Sequence, residues 1–386
     1  MIIEIKGVQF ANRGAHLMLA EIVERVSAMD RKVEFALAAH PLAPATERAK
    51  YARWQKLPLR KRALDLTEAS YHWPGFVRDA FGRRGLVTEG DIDAVLDASG
   101  FAYGDAWSAW SSIYAAGEIS RLARRGRPYV FLPQAFGPFS NSRAAGAFRA
   151  ALPRAALVCA RDADSLAHLR SLGVDCQDCI LACPDLTIGA RGDDSRAVAL
   201  GITRDTVLLV PNSRMLEEGK ASPAWRSGYE QLMRDLATAA QAEGCRVMIL
   251  NHAGSEVAAL CSRLSASLRD APLIDVEDPQ EVKGLIGAAG LVVASRYHAC
   301  VSALSQGVPC IGTAWSHKYA ALFADFDARS AVLSECDSAL GIARLRALLA
   351  RRDELAALLQ AHSAVLAGRV AAMWQRVSSI IGQPAR

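Results

Sequence analysis

The strongest constraint on the fold is a repeated pattern in which a short run of branched apolar residues precedes a helix-like segment. Such runs, without polar alternation, are typical of parallel strands buried on both faces. Strands that alternate with helices predict a doubly wound α/β sheet. The runs of the first half are residues 2–5, 33–37, 92–96, 129–132 and 156–159. Those of the second half are residues 207–210, 246–250, 272–276, 291–294 and 309–312.

Two series of strands in a chain of 386 residues predict two Rossmann-like doubly wound domains. The polar stretch 189–194 is the best linker candidate, which gives domains at residues 1–190 and 191–340. Residues 341–386 have apolar residues at three-four spacing and are predicted to form amphipathic helices. Residues 41–90 interleave basic and aromatic residues, and we interpret them as a helical insertion. It is either a solvated basic face, which is favoured, or part of a ligand-binding lip.

Composition limits the partners. Lys and Arg number 45 against 40 Asp and Glu, a net charge of +5. This positive charge is too small for a protein that coats nucleic acid, but it is compatible with small anionic substrates. The longest weakly polar stretch, residues 284–295, is shorter than the roughly 20 residues of a membrane span. We therefore expect no nucleic acid partner and no membrane span, and leave a peripheral membrane contact open.

The nine cysteines, with no signal peptide evident, favour reduced thiols and a cytoplasmic location. Cys176, Cys179 and Cys183 resemble a metal clip, but no fourth Cys or His lies at ligand spacing. Buried thiols are therefore the favoured interpretation, and no metal site is predicted.

Ligands of open α/β sheets bind beyond the carboxyl ends of the strands. The strongest candidate there is Ser295-Arg296-Tyr297-His298, which leaves the run 291–294 and enters a helix at once. Arg296 offers a fork suited to carboxylate or phosphate, and His298 titrates near neutral pH. The alternative is that Ser295 or His298 caps the helix and Arg296 pairs with a local Asp.

Three further residues follow neighbouring strands of the second half. His317 and Lys318 come after the run 309–312, and Lys318 is either a phosphate contact or a surface residue at a helix start. Arg214 follows the run 207–210 and would supply a second fork to the crevice of Arg296.

The first half offers weaker candidates, for which a ligand contact and a local structural role are about equally open. They are Asn12, Gly14, Asp97, Ser99, Gly100, Asp105, Gln134 and Arg161. The glycines permit close approach of a ligand to the backbone. Asp97 or Asp105 could accept the proton of a sugar hydroxyl, and Arg161 could bind an anion or pair with Asp185.

Taken in order, these turns resemble the polysaccharide pyruvyl transferase family. The matching pieces are Asn12-x-Gly14-Ala15, Ser99-Gly100, Leu132-Pro133-Gln134-x-x-Gly137-Pro138-Phe139, Arg161-Asp162-x-x-Ser165, Pro184-Asp185-Leu186, Ser295-Arg296-x-His298, and Gly307-x-Pro309 with Lys318 beyond. The family usually has Gly-Gly where this chain has Ser99-Gly100, and residues 41–90 match no family motif.

The resemblance implies a glycosyltransferase-B-like pair of domains that face a cleft, with the acceptor on the first and phosphoenolpyruvate on the second. It implies transfer of pyruvate from phosphoenolpyruvate to a saccharide or lipid-linked glycan as a ketal, in cell-surface or exopolysaccharide biosynthesis. Arg296 and His298 would bind the donor and catalyse, and no cofactor is expected. Two rivals remain: a nucleotide-sugar-dependent glycosyltransferase on the same scaffold, and a non-catalytic binding protein that kept the cleft.

Overall fold

The computed structural model describes residues 1–41, 43–61, 64–174, 179–313 and 318–382. They form two compact units. Unit 1 comprises residues 1–10, 18–186 and 369–386, and unit 2 comprises residues 11–17 and 187–368. The boundary near residue 186 lies a few residues before the predicted linker.

Unit 1 is built on a parallel sheet. Its strands are β1 (Ile2–Lys6), β2 (Glu34–Ala38), β3 (Trp54–Lys56), β4 (Arg60–Lys61), β5 (Leu64–Asp65), β6 (Leu86–Val87), β7 (Ala94–Asp97), β8 (Phe101–Tyr103), β9 (Tyr129–Phe136), β10 (Leu157–Ala160) and β11 (Ile180–Ala182). The helices between them are α1 (Arg13–Met29), α2 (Ala45–Arg48), α3 (Gly75–Gly82), α4 (Ala109–Ala123), α5 (Ser142–Ala151) and α6 (Ala163–Ser171). The main strand order is β11-β10-β9-β7-β1-β2-β3-β6, and β8 pairs with β9.

Unit 2 repeats the architecture. Its elements are α7 (Ser195–Leu200), β12 (Thr206–Val210), α8 (Pro223–Ala242), β13 (Arg246–Asn251), α9 (Ala258–Ser267), β14 (Leu273–Asp275), α10 (Pro279–Ala288), β15 (Leu291–Ala294), α11 (Tyr297–Ser305), β16 (Cys310–Thr313), α12 (Lys318–Asp325), β17 (Val332–Leu333), α13 (Ser338–Ala350) and α14 (Arg352–Ile381). The parallel order is β14-β13-β12-β15-β16-β17. Strands β12 and β15, at its centre, are buried along their whole length because helices cover both faces.

The predicted α/β class is confirmed, and each of the ten apolar runs overlaps a strand. Strand β9 is longer than the predicted run 129–132. It continues through Pro133 and Gln134 to Phe136, where the sequence predicted a turn. Its eight residues are all buried, and the pairing with β10 is irregular near Gln134. This irregularity accommodates Pro133, which has no N–H to donate to a neighbouring strand.

The predicted helical insertion at residues 41–90 is wrong for the part of it that the structure describes. Strands β3 and β6 extend the parallel sheet beyond β2, and β4 and β5 form an antiparallel pair. Helix α3 is the longest helical piece of this segment. The sequence pattern did not predict these strands, because strands of two or three residues are too short to show an alternation of apolar and polar residues.

The terminal segments divide differently from the predicted boundaries. The start of α1, up to Leu17, groups with unit 2, and its remainder groups with unit 1. In α14, Leu359 and Leu366 pack in a core of unit 2, whereas Val370, Met373 and Trp374 pack in a core of unit 1. The apolar face of α14 therefore packs in two different cores. Helical periodicity alone does not predict this division.

Among the described residues, α14 is the one helix long and apolar enough to cross a membrane by length and composition. This is weak evidence, because a helix that packs in a protein core passes the same test.

Candidate active site

The carboxyl ends of four adjacent strands of unit 2 bring polar side chains to one edge of the sheet. Asn212 follows β12, His252 follows β13, Ser295 follows β15, and Thr313 ends β16. All four are buried. Because β13, β12, β15 and β16 are neighbours in that order, their ends form one continuous edge.

Ser295 fixes the backbone at the start of the strongest candidate motif. Its hydroxyl hydrogen-bonds to the hydroxyls of Tyr229 and Thr313, at 2.5 Å each. Its carbonyl accepts from Asn212 Nδ2 at 2.8 Å and from the Tyr319 hydroxyl at 2.7 Å. Ser295 is fully buried, and these partners show that it positions the turn. The substrate contact that the sequence predicted for it stays a prediction.

The guanidinium groups of Arg296 and Arg214 both lie near the carboxylate of Glu256. The sequence predicted that these two side chains would face the same crevice. Glu256 Oε1 lies 3.2 Å from Arg296 Nη2 and 3.7 Å from Arg214 Nε. The Arg296 side chain is 11% exposed, whereas those of Arg214 and Glu256 are 42% and 38% exposed. Glu217 also pairs with Arg214, at 2.7 Å. Sequence reasoning missed Glu256, and it expected an Asp as the local partner of Arg296.

His298 packs directly against Gly14. A Cβ atom at Gly14 would overlap the His298 imidazole ring, so a glycine is required by the close approach. Asn12 orients this segment, because its Oδ1 accepts the N–H of Gly14 at 3.1 Å. The predicted candidates Asn12, Gly14 and His298 therefore belong to one site, in unit 2.

His252 is a further member of the site that the sequence analysis did not single out. It is buried, and its carbonyl accepts the backbone N–H of Arg13 at 3.3 Å. Burial, followed by the nearby charges of Arg296, His298 and Arg13, lowers the pKa of His252 to about 3. Its imidazole is therefore neutral at physiological pH. The sequence feature that could have identified His252 was its position soon after a predicted strand.

Lys318 is the first residue of α12. Its Nζ lies 5.3 Å from the centroid of the Tyr297 ring, and that ring packs edge-on against His298 with centroids 5.4 Å apart. Lys318 is thus linked to His298 through one aromatic ring. The predicted contact His317 lies outside the described residues.

Asp97, predicted as a catalytic residue, has a buried carboxylate that accepts hydrogen bonds from neighbouring side chains of unit 1. These contacts give the carboxylate a structural role, and a catalytic role for it stays a prediction. Oδ2 accepts from the hydroxyls of Tyr103 at 2.5 Å and Tyr129 at 2.6 Å. Oδ1 accepts from the Ser99 hydroxyl at 2.6 Å. Burial and the Asp97 charge raise the pKa of both tyrosines well above the ordinary value, so both hydroxyls stay protonated donors.

The loop after β7 is held by local contacts. Ser99 packs so closely against Gly7 that a Cβ atom at Gly7 would overlap it. Gly7 also has a positive φ of 79°, which favours glycine. Gly100 also has a positive φ, 71°, with open space around it. The hydroxyl of Ser99 is directed to Asp97, so the predicted substrate contact of Ser99 is replaced by a structural one. Gly100 keeps the backbone accessibility that the sequence predicted.

Gln134 and Arg161, which the sequence predicted as substrate contacts, are buried in unit 1. Gln134 lies within β9, and its Nε2 donates to the carbonyl of Asp97 at 3.2 Å. Arg161 Nη1 pairs with Asp185 at 3.2 Å, the structural alternative that the sequence left open. Burial of both partners explains the pairing, since an unpaired buried charge is strongly unfavourable.

Asp105 is exposed and accepts the backbone N–H of Ser140 at 3.0 Å. The loss of some surrounding water would raise the pKa of the Asp105 carboxyl, but the hydrogen bonds from Ser140 outweigh this effect and lower the pKa. A carboxylate with a lowered pKa is a weaker base, and the predicted role of Asp105 as a proton acceptor stays a prediction.

The cysteines differ from the expectation at one position. Cys183 is a buried free thiol whose pKa is raised by burial to about 12, so it is unreactive. Cys179 is disulfide-bonded rather than reduced. Cys176 lies outside the described residues. Within the described part of the chain, no group of three or more His, Cys, Asp or Glu side chains could hold a metal ion.

Comparison with known proteins decides the family. A sequence profile described as polysaccharide pyruvyl transferase matches residues 12–317. The chain belongs to the polysaccharide pyruvyl transferase family. Its members are transferases, and the match includes the strand-end residues of unit 2. A search of curated protein sequences found no match.

Solved structures show the fold. The chain resembles the UDP-GlcNAc 2-epimerase of Neisseria meningitidis, solved with UDP-GlcNAc, with a TM-score of 0.61 at 10% identity over 98% of this chain and 99% of that one. The epimerase of Methanocaldococcus jannaschii gives 0.55 at 10% identity over 90% and 92%. A spinosyn rhamnosyltransferase gives 0.50 at 15% identity over 99% and 100%. The pyruvyl transferase shares the GT-B fold of these neighbours.

The structural role of Asp97 predicts that Asp97→Asn destabilises the protein. The amide cannot accept from Tyr103, Tyr129 and Ser99 together as a carboxylate does. We expect a loss of about 2–4 kcal/mol in the free energy of unfolding, measured by urea denaturation. The matched control Asp105→Asn, at an exposed site, should lose less than about 1 kcal/mol. Equal effects of the two substitutions would contradict the structural role.

Proposed function

We propose that this pyruvyl transferase moves pyruvate from phosphoenolpyruvate to two hydroxyls of a saccharide and forms a ketal, in cell-surface or exopolysaccharide biosynthesis. Unit 2 binds the donor. The observation that carries the proposal is the carboxylate of Glu256 between the guanidinium groups of Arg296 and Arg214. This edge of the sheet accepts a carboxylate, and phosphoenolpyruvate has a carboxylate and a phosphate.

The charges around the edge support an anionic donor. Arg13, Arg214, Arg296 and Lys318 lie on its elements, and Glu256 supplies a carboxylate to two of them. Glu256 is partly exposed, so water can receive its carboxylate when a donor anion takes its place. Forked guanidinium groups can then orient the small anion through paired hydrogen bonds.

The reaction begins with a proton transferred to the methylene carbon of phosphoenolpyruvate, which makes C2 cationic. One acceptor hydroxyl attacks C2 and releases its proton to a base. The bond between C2 and the phosphate oxygen then breaks, and a second hydroxyl attacks C2 and releases its proton. The products are the ketal and phosphate. One hydroxyl proton replaces the proton used at the methylene carbon, and the other leaves with phosphate.

His298 is the proposed general acid, because its ring lies at the site and a protonated imidazole can donate a proton. His252 cannot share that role, since its pKa of about 3 leaves it neutral. A neutral imidazole instead provides one hydrogen-bond donor and one acceptor beside the charged groups. The scheme uses no cofactor, and a cytoplasmic location stays a prediction.

Arg296→Lys should weaken the binding of phosphoenolpyruvate by about 10- to 100-fold, because a point charge cannot reproduce the guanidinium fork. The measurement is isothermal titration calorimetry with phosphoenolpyruvate and, separately, UDP. The control Arg263→Lys changes an exposed arginine that pairs with Glu230 in the same unit. Tighter binding of UDP than of phosphoenolpyruvate by the unaltered protein would favour the nucleotide-sugar rival.

His298→Gln should lower turnover by about 10²–10⁴-fold while the affinity for phosphoenolpyruvate changes little. Phosphate release in the presence of saccharide acceptors measures turnover, and calorimetry measures donor affinity. Unchanged turnover would remove His298 from the mechanism. An equal loss of turnover and of donor affinity would assign it to binding instead.

Glu256→Gln should tighten phosphoenolpyruvate binding by about two- to fivefold, because the competing carboxylate is removed from Arg296 and Arg214. Glu217→Gln is the matched control, since Glu217 pairs with Arg214 outside the shared contact. Calorimetric titration compares the two variants with the unaltered protein. Weaker binding by Glu256→Gln would show that Glu256 supports the donor site instead of competing for it.

A further inference from the structure

Helix α14 is apolar on its exposed side as well as on its buried side between residues 355 and 368. Leu359 and Leu366 pack in a core of unit 2. The exposed residues on the other side are mostly apolar or small, and residues 355–368 include no Asp, Glu, Lys or Arg. We call this exposed side the α14 face, and its residues are Ala357, Leu358, Ala361, Ala364, Val365 and Gly368.

The α14 face is a contiguous strip about 16 Å long, because its residues recur at intervals of three and four. Leu358 is 51% exposed, and Val365 is 68% exposed. The 18-residue window of α14 that is apolar enough to span a membrane is 28% buried. A helix that is apolar all round is typically covered on both sides, and a contiguous exposed apolar surface marks an interaction site. The α14 face therefore needs a partner.

A cavity of about 120 Å³ adjoins the α14 face. Leu355, Leu358 and Leu359 line it from α14, and further apolar side chains line it from α11 and α13. Because Leu358 both lines the cavity and is half exposed, the cavity lies directly beside the strip. A depression in that position can receive an apolar side chain of a partner.

The two ends of the α14 face carry opposite charges. The side chains of Asp353 and Glu354, which precede it, are 87% and 57% exposed. Arg369 follows it and is also exposed. If two such helices run in opposite directions about a point between residues 361 and 362, Glu354 of each lies opposite Arg369 of the other. The same pairing places Leu358 opposite Val365, so the face is self-complementary under a two-fold axis.

A second copy of the chain fits the α14 face better than a lipid bilayer does. The acidic end would be repelled by an anionic membrane surface. Residues 355–368 contain no Trp, Tyr or Phe, the side chains that anchor proteins at the membrane interface. Alanine and glycine along the strip instead allow two helices to approach within the roughly 8–10 Å of ordinary helix packing.

We propose that the protein forms a symmetric dimer through the α14 face, with the two helices antiparallel. Leu358 and Val365 of the two copies pack together beside the cavity, and Glu354 pairs with Arg369 across the interface. This inference does not depend on the proposed function. A contact along about four helical turns is smaller than the usual interface of roughly 800 Å² per partner, so we expect a dissociation constant of about 1–100 µM.

Sedimentation velocity of the full-length protein tests the proposal at concentrations of about 1 to 200 µM, which bracket the expected dissociation constant. The unaltered protein should form more dimer as its concentration rises. Val365→Glu should raise the dissociation constant at least about tenfold, because it puts a carboxylate in the apolar contact. The matched control is Val198→Glu, at a valine of α7 in the same unit that is 77% exposed, and its dimer should be unchanged.

Charge reversal tests the antiparallel arrangement. Glu354→Arg and Arg369→Glu should each weaken the dimer about three- to tenfold, and the two changes in one chain should restore it. Each single change also removes a contact within the chain, from Glu354 to Arg351 at 2.6 Å or from Arg369 to the carbonyl of Ala182 at 3.2 Å. The second change cannot repair those contacts, so recovery is specific to pairing between copies.

Several results would overturn the proposal. They are a monomer at every concentration, a dimer that Val365→Glu leaves intact, and an equal loss in Val198→Glu. A combined charge-reversed variant that stays as weak as the single variants would overturn the antiparallel arrangement. Adsorption of a monomeric protein to phosphatidylglycerol vesicles, lost in Val365→Glu, would overturn the dimer in favour of a membrane contact. Thermal unfolding followed by circular dichroism confirms that each variant is folded before its mass is measured.

Discussion

The hydrogen bonds of Ser295 hold the turn between β15 and α11, and the candidate donor site depends on that turn. Four polar groups from three other elements and the strand end of β12 converge on this one buried residue. A buried network in which each group has a partner is rigid, because any displacement leaves a polar atom unsatisfied. Arg296 and His298 follow directly, so their side chains start from a fixed backbone. Preorganisation of this kind lowers the entropy that substrate binding would otherwise lose.

Charge distinguishes the two units. In unit 2, the guanidinium groups of Arg214 and Arg296 lie near the carboxylate of Glu256. Burial, followed by the charge of Arg296, lowers the pKa of His252 and keeps its ring neutral. In unit 1, Lys6 and Lys56 form ion pairs with the carboxylates of Glu4 and Glu118. The first arrangement suits a small anion that can displace a carboxylate. The arrangement in unit 2 supports the anionic donor that we propose.

The sequence predicted the strands of both sheets because branched apolar runs report burial on two faces. It also predicted that Arg214, Arg296 and His298 share a site, since neighbouring parallel strands end at the same edge. It did not predict the partners of Asp97, because nothing local shows that Tyr103 and Tyr129 fold onto that carboxylate. Glu256 and His252 were missed because both follow β13, whose end carried no recognised motif. The apolar stripe of α14 likewise gave no sign that it serves two cores.

The most direct test of the central claim is a crystal structure of the protein soaked with phosphoenolpyruvate. The account predicts the carboxylate or phosphate of the donor within hydrogen-bonding distance of Arg296, with Glu256 moved away from that guanidinium. It also predicts the His298 ring near the methylene carbon. Phosphoenolpyruvate bound elsewhere, with Glu256 still paired to Arg296, would contradict the account.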